Sequence, residues 1–209
     1  MAVFILKIVL AYLLGSISGS LLLGRLKKVD IRSQGSGNAG GTNAFRTQGL
    51  VFALGVVLID VGKGFVAAWW IPMLFAGGVS TVPHLDLLVM ACGFAAVLGH
   101  CFPAWHGFRG GKGAATAVGA LIVIEPWLLV PLVMVWLITL IMTGYVGLST
   151  VLAGFSLVPA SWAMNDHQLM IFSVVLAVFL LFTHRENMRR LRNGTEYRFE
   201  RIHIFTRKD

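Results

Sequence analysis

Three polar segments interrupt an otherwise apolar chain, and each carries residue types suited to binding an anion. The first, SGNAGGTNAFR, runs from Ser36 to Arg46. It interleaves Gly37, Gly40 and Gly41 with Ser36, Asn38, Thr42 and Asn43 and ends on a guanidinium. Such a run has low helical propensity and supplies backbone N–H groups, side-chain donors and one fixed positive charge, the parts of an anion nest. The second, HGFRGGKGAAT from His106 to Thr116, sets Gly110, Gly111 and Gly113 around Lys112 just before an apolar run. Glycines there let the backbone approach a ligand, and a helix N-terminus adds partial positive charge. The third, HRENMRRLRNGTE from His184 to Glu196, leaves the last apolar run with His184 and Asn187 one helical turn apart, on the same face.

What these segments lack narrows the chemistry. A nucleotide-binding P-loop needs a glycine five residues before the Gly-Lys pair and Ser or Thr after it. Here His106 and Gly113 occupy those places. The chain has no Gly-x-Ser-x-Gly elbow and no His-Glu-x-x-His. None of its six histidines has Asp five residues later, so the His-x4-Asp pattern of many glycerolipid acyltransferases is absent. No strong general base is evident, no metal-ligand spacing occurs, and no cofactor is expected. What remains is a site that binds phosphates and fixes geometry.

The elements that must hold these segments are membrane spans. Hydrophobic residues make up 57% and charged residues 12% of the 209 residues, with mean hydropathy +0.81, where a soluble domain has roughly a quarter of its residues charged. Apolar runs lie at 3–23, 50–71, 85–102, 114–124, 127–143, 146–163 and 169–183. The expected fold is therefore an all-α integral membrane protein of about seven transmembrane helices, some short, with glycine-rich, partly re-entrant cytoplasmic loops. The run at 114–124 is about 16 Å long as a helix, against a hydrocarbon core of about 30 Å. The glycine loop before it then dips into the membrane, lining a polar cavity or buried in protein.

Charge fixes the expected orientation. With the N-terminus outside, the inner segments hold 15 of the 17 Lys and Arg residues and the outer loops none, as the positive-inside rule requires. The small residues Gly15 to Ser20 could follow a signal peptide, but the cluster Arg25, Lys27 and Lys28 reads as a cytoplasmic anchor. Residues 184–209 form a basic cytoplasmic tail, which as a bland alternative is a surface helix attracted to anionic lipid. No repeat or linker is evident, so one domain spanning 1–209 is expected, and no nucleic-acid partner. Asp60 and Lys63, three residues apart inside the second run, are expected to form a structural ion pair. Cys92 and Cys101 lie about 13 Å apart on one helix, beyond disulfide reach.

SGN-x-G-x-TN-x-x-R at 36–46, D-x-x-KG at 60–64, GH-x-x-P-x-W-x-x-F-x-GGKG-x-AT at 99–116 and HREN-x-x-RL-x-x-G-x-E at 184–196 together resemble the bacterial acyl-phosphate:glycerol-3-phosphate acyltransferase family. The match runs in order over nearly the whole chain. Ala39 stands where the family often has Pro, Gly41 where Ala is usual, and Ser18 where Pro is common. The resemblance implies a seven-span inner-membrane enzyme that moves a fatty acyl group from acyl phosphate to the sn-1 hydroxyl of glycerol 3-phosphate. The products are lysophosphatidic acid and phosphate, the first acylation of phospholipid synthesis. It implies membrane lipid as surroundings and functional coupling to an enzyme that produces acyl phosphate.

On this reading Arg46 and Lys112 clamp phosphate, and the amides of Gly110 to Gly113 and of Gly40 to Thr42 cradle phosphoryl oxygens. Ser36, His184 and Asn187 orient glycerol 3-phosphate, with Gly37, Asn38, Asn43, Thr116 and Glu196 also lining the substrates. His184 as general base is the weaker reading, because a substrate phosphate oxygen can take the proton. The rival from another class is an anion transporter, which short helices and an intramembrane Asp-Lys pair would suit. It fits less well, because the polar segments crowd one face.

Overall fold

The computed structural model describes residues 1–75 and 84–199. The expected outer loop at 76–83 and the end of the expected basic tail, from residue 200, lie outside the described residues. The chain divides into two compact units, Met1–Glu125 and Pro126–Asp209, each treated by itself below. Every regular element among the described residues is helical.

The first unit holds α1 (Ala2–Gly15), α2 (Gly19–Lys27), α3 (Gly41–Gln48), α4 (Leu50–Trp69), α5 (Leu85–Cys101) and α6 (Ala114–Ile124). The second holds α7 (Leu129–Thr143), α8 (Val146–Ala163), α9 (His167–Thr183) and α10 (Arg185–Arg192). Five helical stretches are long and apolar enough to cross a membrane: Ala2–Lys27, Leu50–Met73, Leu85–His106, Pro126–Thr143 and Val146–Ala163. The pair α9–α10, bent by 57° at His184, makes a sixth. The seventh apolar run is α6, an 11-residue helix as short as its sequence implied. All seven runs are helices.

Small residues explain how the first unit packs. Helices in an apolar medium gain little from burying Leu against Leu, so close backbone approach through Gly and Ala supplies the attraction. A methyl added at Gly15 would lie 2.2 Å from the Ala96 carbonyl oxygen, and one at Gly99 2.1 Å from that of Tyr12, so α1 and α5 touch backbone to backbone. The same holds for α4 and α6, where a methyl on Gly64 would meet the Thr116 oxygen at 2.1 Å and one on Gly119 the Val61 oxygen at 1.9 Å.

The first span is broken, which its hydropathy did not reveal. Between Gly15 and Gly19 the backbone turns extended at Ser18, and the groups this exposes need partners inside an apolar bundle. The serines supply some. Ser16 Oγ donates to the Tyr12 carbonyl (2.9 Å) and accepts from Ala104 N–H (3.2 Å), while Ser20 Oγ donates to the Ala39 carbonyl (2.8 Å). The Asp60–Lys63 pair supplies the rest. The Gly19 amide donates to Asp60 Oδ1 (3.2 Å), and Lys63 Nζ donates to the Ile17 carbonyl (2.5 Å). The cation thus faces the C-terminal end of α1 and the carboxylate the N-terminal end of α2, the signs that helix dipoles favour. The expected ion pair is present, at 3.0 Å and buried.

Candidate active site

The first polar segment is organised by Asn43, which is 1% exposed. Its Oδ1 accepts from Ser36 N–H (2.9 Å), and the two hydrogens of its Nδ2 are shared among the carbonyls of Ile31, Gln34 and Asn38 (3.0 Å each). Asn43 is therefore the hub on which residues 31–38 are wound, and its amide is spent on protein. Gly35, at φ +56°, passes so close that a methyl there would lie 2.4 Å from Asn43 Oδ1.

The segment also differs from the irregular loop expected, because its second half is helix. α3 starts behind an extended Gly40 and packs on α4, where a methyl on Gly41 would meet Val57 at 2.6 Å. The nest is consequently a helix start: the amides of Gly41, Thr42 and Asn43 belong to a first turn that has no intrahelical acceptor for them. Arg46 sits half-buried in the last turn of α3, and Ser36 and Asn38 are half-buried beside the exposed Gly37.

The glycine-lysine segment leaves α5 and returns along its end. Gly110 N–H donates to the Cys101 carbonyl (3.2 Å) and Gly111 N–H to the His100 carbonyl (3.1 Å). These two amides close the C-terminus of α5, which removes them from the phosphate cradle expected of them. Their glycines answer to space: a methyl at Gly110 would lie 2.0 Å from the His100 oxygen, and one at Gly111 2.0 Å from His100 Nε2. Gly113, at φ +88°, is the residue before α6, and half-buried Lys112 stands immediately ahead of that helix start. Thr116 lies fully buried at the α4–α6 contact.

Arg32, which the sequence reading passed over, ties the two segments together. Its Nη1 donates to the carbonyls of His106 (3.3 Å) and Arg109 (3.1 Å). Asp30 holds the same guanidinium through Nε (3.0 Å) and Nη2 (2.7 Å). The hydrogen bonds from Arg32 keep the Asp30 carboxyl below its ordinary range, and the carboxylate raises Arg32 in turn. Leu21, Arg25, Lys28, Arg32 and His106 line a cleft of about 360 Å³ beside this junction.

In the second unit, His184 stands at the bend between α9 and α10, buried, with Nδ1 2.8 Å from the Leu180 carbonyl. A carbonyl can only accept, so Nδ1 carries the proton and Nε2 the lone pair in the neutral ring. Asn187 Nδ2 donates to Glu196 Oε1 (2.5 Å), and Arg190 Nε donates to Glu196 Oε2 (2.7 Å). Glu196, 4% exposed in its side chain, has each oxygen engaged by protein, and its bond to Asn187 orients that amide. Gly147 on α8 makes room, since a methyl there would lie 2.7 Å from Asn187 Cβ. That glycine sits in no polar motif and could not be read as functional. Among the described residues, no group of three or more His, Cys, Asp or Glu could hold a metal.

The profile of the family described as glycerol-3-phosphate acyltransferase matches residues 5–194. A glycerol-3-phosphate acyltransferase of Bacillus subtilis is 41% identical over 91% of this chain and 95% of its own length. One from Chlorobaculum parvum is 39% identical over 95% and 97%. Among solved structures, PlsY, described as an integral membrane glycerol 3-phosphate acyltransferase, matches in its glycerol 3-phosphate form with TM-score 0.82 and 34% identity, covering 94% of this chain and 95% of that one. Its lysophosphatidic acid form matches with TM-score 0.80 and 32% identity over the same shares.

Proposed function

The chain belongs to the glycerol-3-phosphate acyltransferase family, and from that premise we propose that acyl phosphate is the donor and that the protein's work is chiefly to hold two phosphates. It is a multi-pass membrane enzyme that acylates glycerol 3-phosphate to lysophosphatidic acid. The finer reading adds the sn-1 hydroxyl as acceptor and the bacterial inner membrane as location. It also adds an outside N-terminus with the chemistry on the cytoplasmic face, supported by the one-sided placement of Lys and Arg.

An acyl phosphate is a mixed anhydride. The glycerol 3-phosphate hydroxyl oxygen attacks its carbonyl carbon, the bond from that carbon to the phosphate oxygen breaks, and the electron pair leaves on phosphate. The hydroxyl proton passes to a phosphate oxygen or to His184 Nε2. No covalent enzyme intermediate is required, so catalysis reduces to positioning two anions and stabilising charge as it moves to the leaving group.

We assign Lys112 and Arg46 to the phosphates, with the first-turn amides of α3 and the start of α6 as hydrogen-bond donors. Ser36 supports the glycerol phosphate, and His184 and Asn187 orient its hydroxyl. The observation that carries the proposal is the Arg32 bridge, which ties the segment leading into α3 to the segment leading into α6. A cation stands on each, Arg46 within α3 and Lys112 just ahead of α6. The transporter alternative finds no support in the family.

The test is substitution with a fold control. Lys112→Ala and Arg46→Ala, purified in detergent with unchanged helicity, are expected to lose transfer from acyl phosphate. Full activity in either removes that residue from the assignment.

A further inference from the structure

The buried cluster that caps the break in the first span also reaches the glycine-lysine segment. Lys63 Nζ lies 3.0 Å from Asp60 Oδ1, 2.5 Å from the Ile17 carbonyl and 2.9 Å from His100 Nδ1. His100 Nδ1 lies 3.4 Å from the Asp60 carboxylate as well, so one ring nitrogen faces the charge pair while the other, Nε2, faces Gly111. The contact there is tight, since a methyl on Gly111 would sit 2.0 Å from Nε2 and 2.8 Å from Cε1. The His100 carbonyl also takes the Gly111 amide at 3.1 Å. His100 therefore holds Gly111 by backbone and by ring, one residue before Lys112, while its ring is locked from behind by a charge pair anchored on α4 and at the α1–α2 break. His100 itself is 3% exposed.

From this we propose that His100 is a positioning residue: with Asp60 and Lys63 behind it, it sets where the Gly111–Lys112 backbone lies and so where the Lys112 ammonium meets phosphate. The inference rests on Lys112 as a phosphate clamp. Neither Asp60 nor Lys63 needs to touch substrate for it to hold, because their partners are backbone groups and the imidazole.

The test uses the full-length protein in micelles with acyl phosphate and glycerol 3-phosphate, reading kcat, KM and melting temperature for each variant. His100→Ala frees the segment and is expected to lower kcat/KM about tenfold or more, as a displacement near 1 Å can. His100→Asn, which keeps a polar atom near Nδ1 for Lys63, is expected to recover most of that loss. Gly111→Ala alone forces methyl against ring, and in the double variant Gly111→Ala/His100→Asn the clash is relieved. The double variant should then fall within about threefold of His100→Asn alone, whereas independent sites would multiply their penalties. Multiplying penalties, or His100→Ala and His100→Asn losing activity equally, would overturn the proposal. Lys112→Ala is measured alongside. If it keeps full activity the clamp assignment fails; if it is inactive while His100→Ala is unimpaired, only the positioning role fails.

Discussion

Asp60 and Lys63 stand 3.0 Å apart on α4 and straddle the break between α1 and α2, the carboxylate accepting from the Gly19 amide and the ammonium donating to the Ile17 carbonyl. Removing one member strands the other. Asp60→Asn or Lys63→Met is expected to destabilise the protein by about 3–5 kcal/mol, the usual cost of breaking a buried pair. Asp60→Asn/Lys63→Met, which leaves no uncompensated charge, should cost less than the two singles together. Thermal unfolding in detergent reads both, and strictly additive costs would contradict the pairing.

The α4–α6 contact has no room for a side chain at Gly119, whose added methyl would lie 1.9 Å from the Val61 carbonyl oxygen. Gly119→Val should force the helices apart at a cost of at least about 1–3 kcal/mol from overpacking. Gly62, on the facing helix α4 with open space around its Cβ position, is the control: Gly62→Ala should be neutral or slightly stabilising. Equal melting temperatures for the two variants would argue against backbone-to-backbone packing.

Arg32 carries no proposed contact with substrate, yet it spans the two segments that do. Arg32→Ala is expected to reduce kcat/KM about tenfold by loosening their registry while circular dichroism stays unchanged. Asp30→Asn should weaken the same bridge more mildly. The Asp30 carboxyl titrates below its ordinary value of 3.8 in the folded protein, so its contribution is present above that value and lost as pH falls below it. The stability difference between wild type and Asp30→Asn should be flat above about pH 5 and shrink as acid protonates the carboxylate. A difference that grew toward low pH would reverse the sign and exclude the ion pair as its cause.

His184 offers Nε2 as its acceptor because Nδ1 is committed to the Leu180 carbonyl. If the ring orients the hydroxyl and a phosphate oxygen takes the proton, His184→Ala lowers kcat and leaves the shape of the pH–rate profile intact. Disappearance of the acidic limb in the variant would instead make His184 the general base.

How much of this could be read from the chain follows from what each feature depends on. Helix existence depends on local apolar composition, and all seven runs appear as helices. The shortness of α6 was legible because Gly113 and Glu125-Pro126 bound it in sequence. The break at Ser16–Ser18 was not, since a few small polar residues do not depress hydropathy over a span. Residue types suited to phosphate were legible, and so was the Asp60–Lys63 pair. What could not be read was which polar groups are already engaged by protein. Asn43, Glu196 and the amides of Gly110 and Gly111 look like ligand groups in sequence, and only the path of the chain shows that neighbours occupy them. Arg32 and Gly147 were invisible for the converse reason: their importance lies in contacts with residues 74 and 40 positions away.

The most direct measurement of the central claim is donor choice by the purified protein in micelles, with glycerol 3-phosphate as acceptor. Acyl phosphate, acyl-CoA and acyl-carrier protein are supplied separately, and lysophosphatidic acid and inorganic phosphate are both quantified. Lysophosphatidic acid formed from acyl phosphate alone, with one phosphate released per product, is the predicted result. Efficient transfer from acyl-CoA or acyl-carrier protein, or no product from acyl phosphate, would contradict a site whose chemistry depends on holding two phosphates.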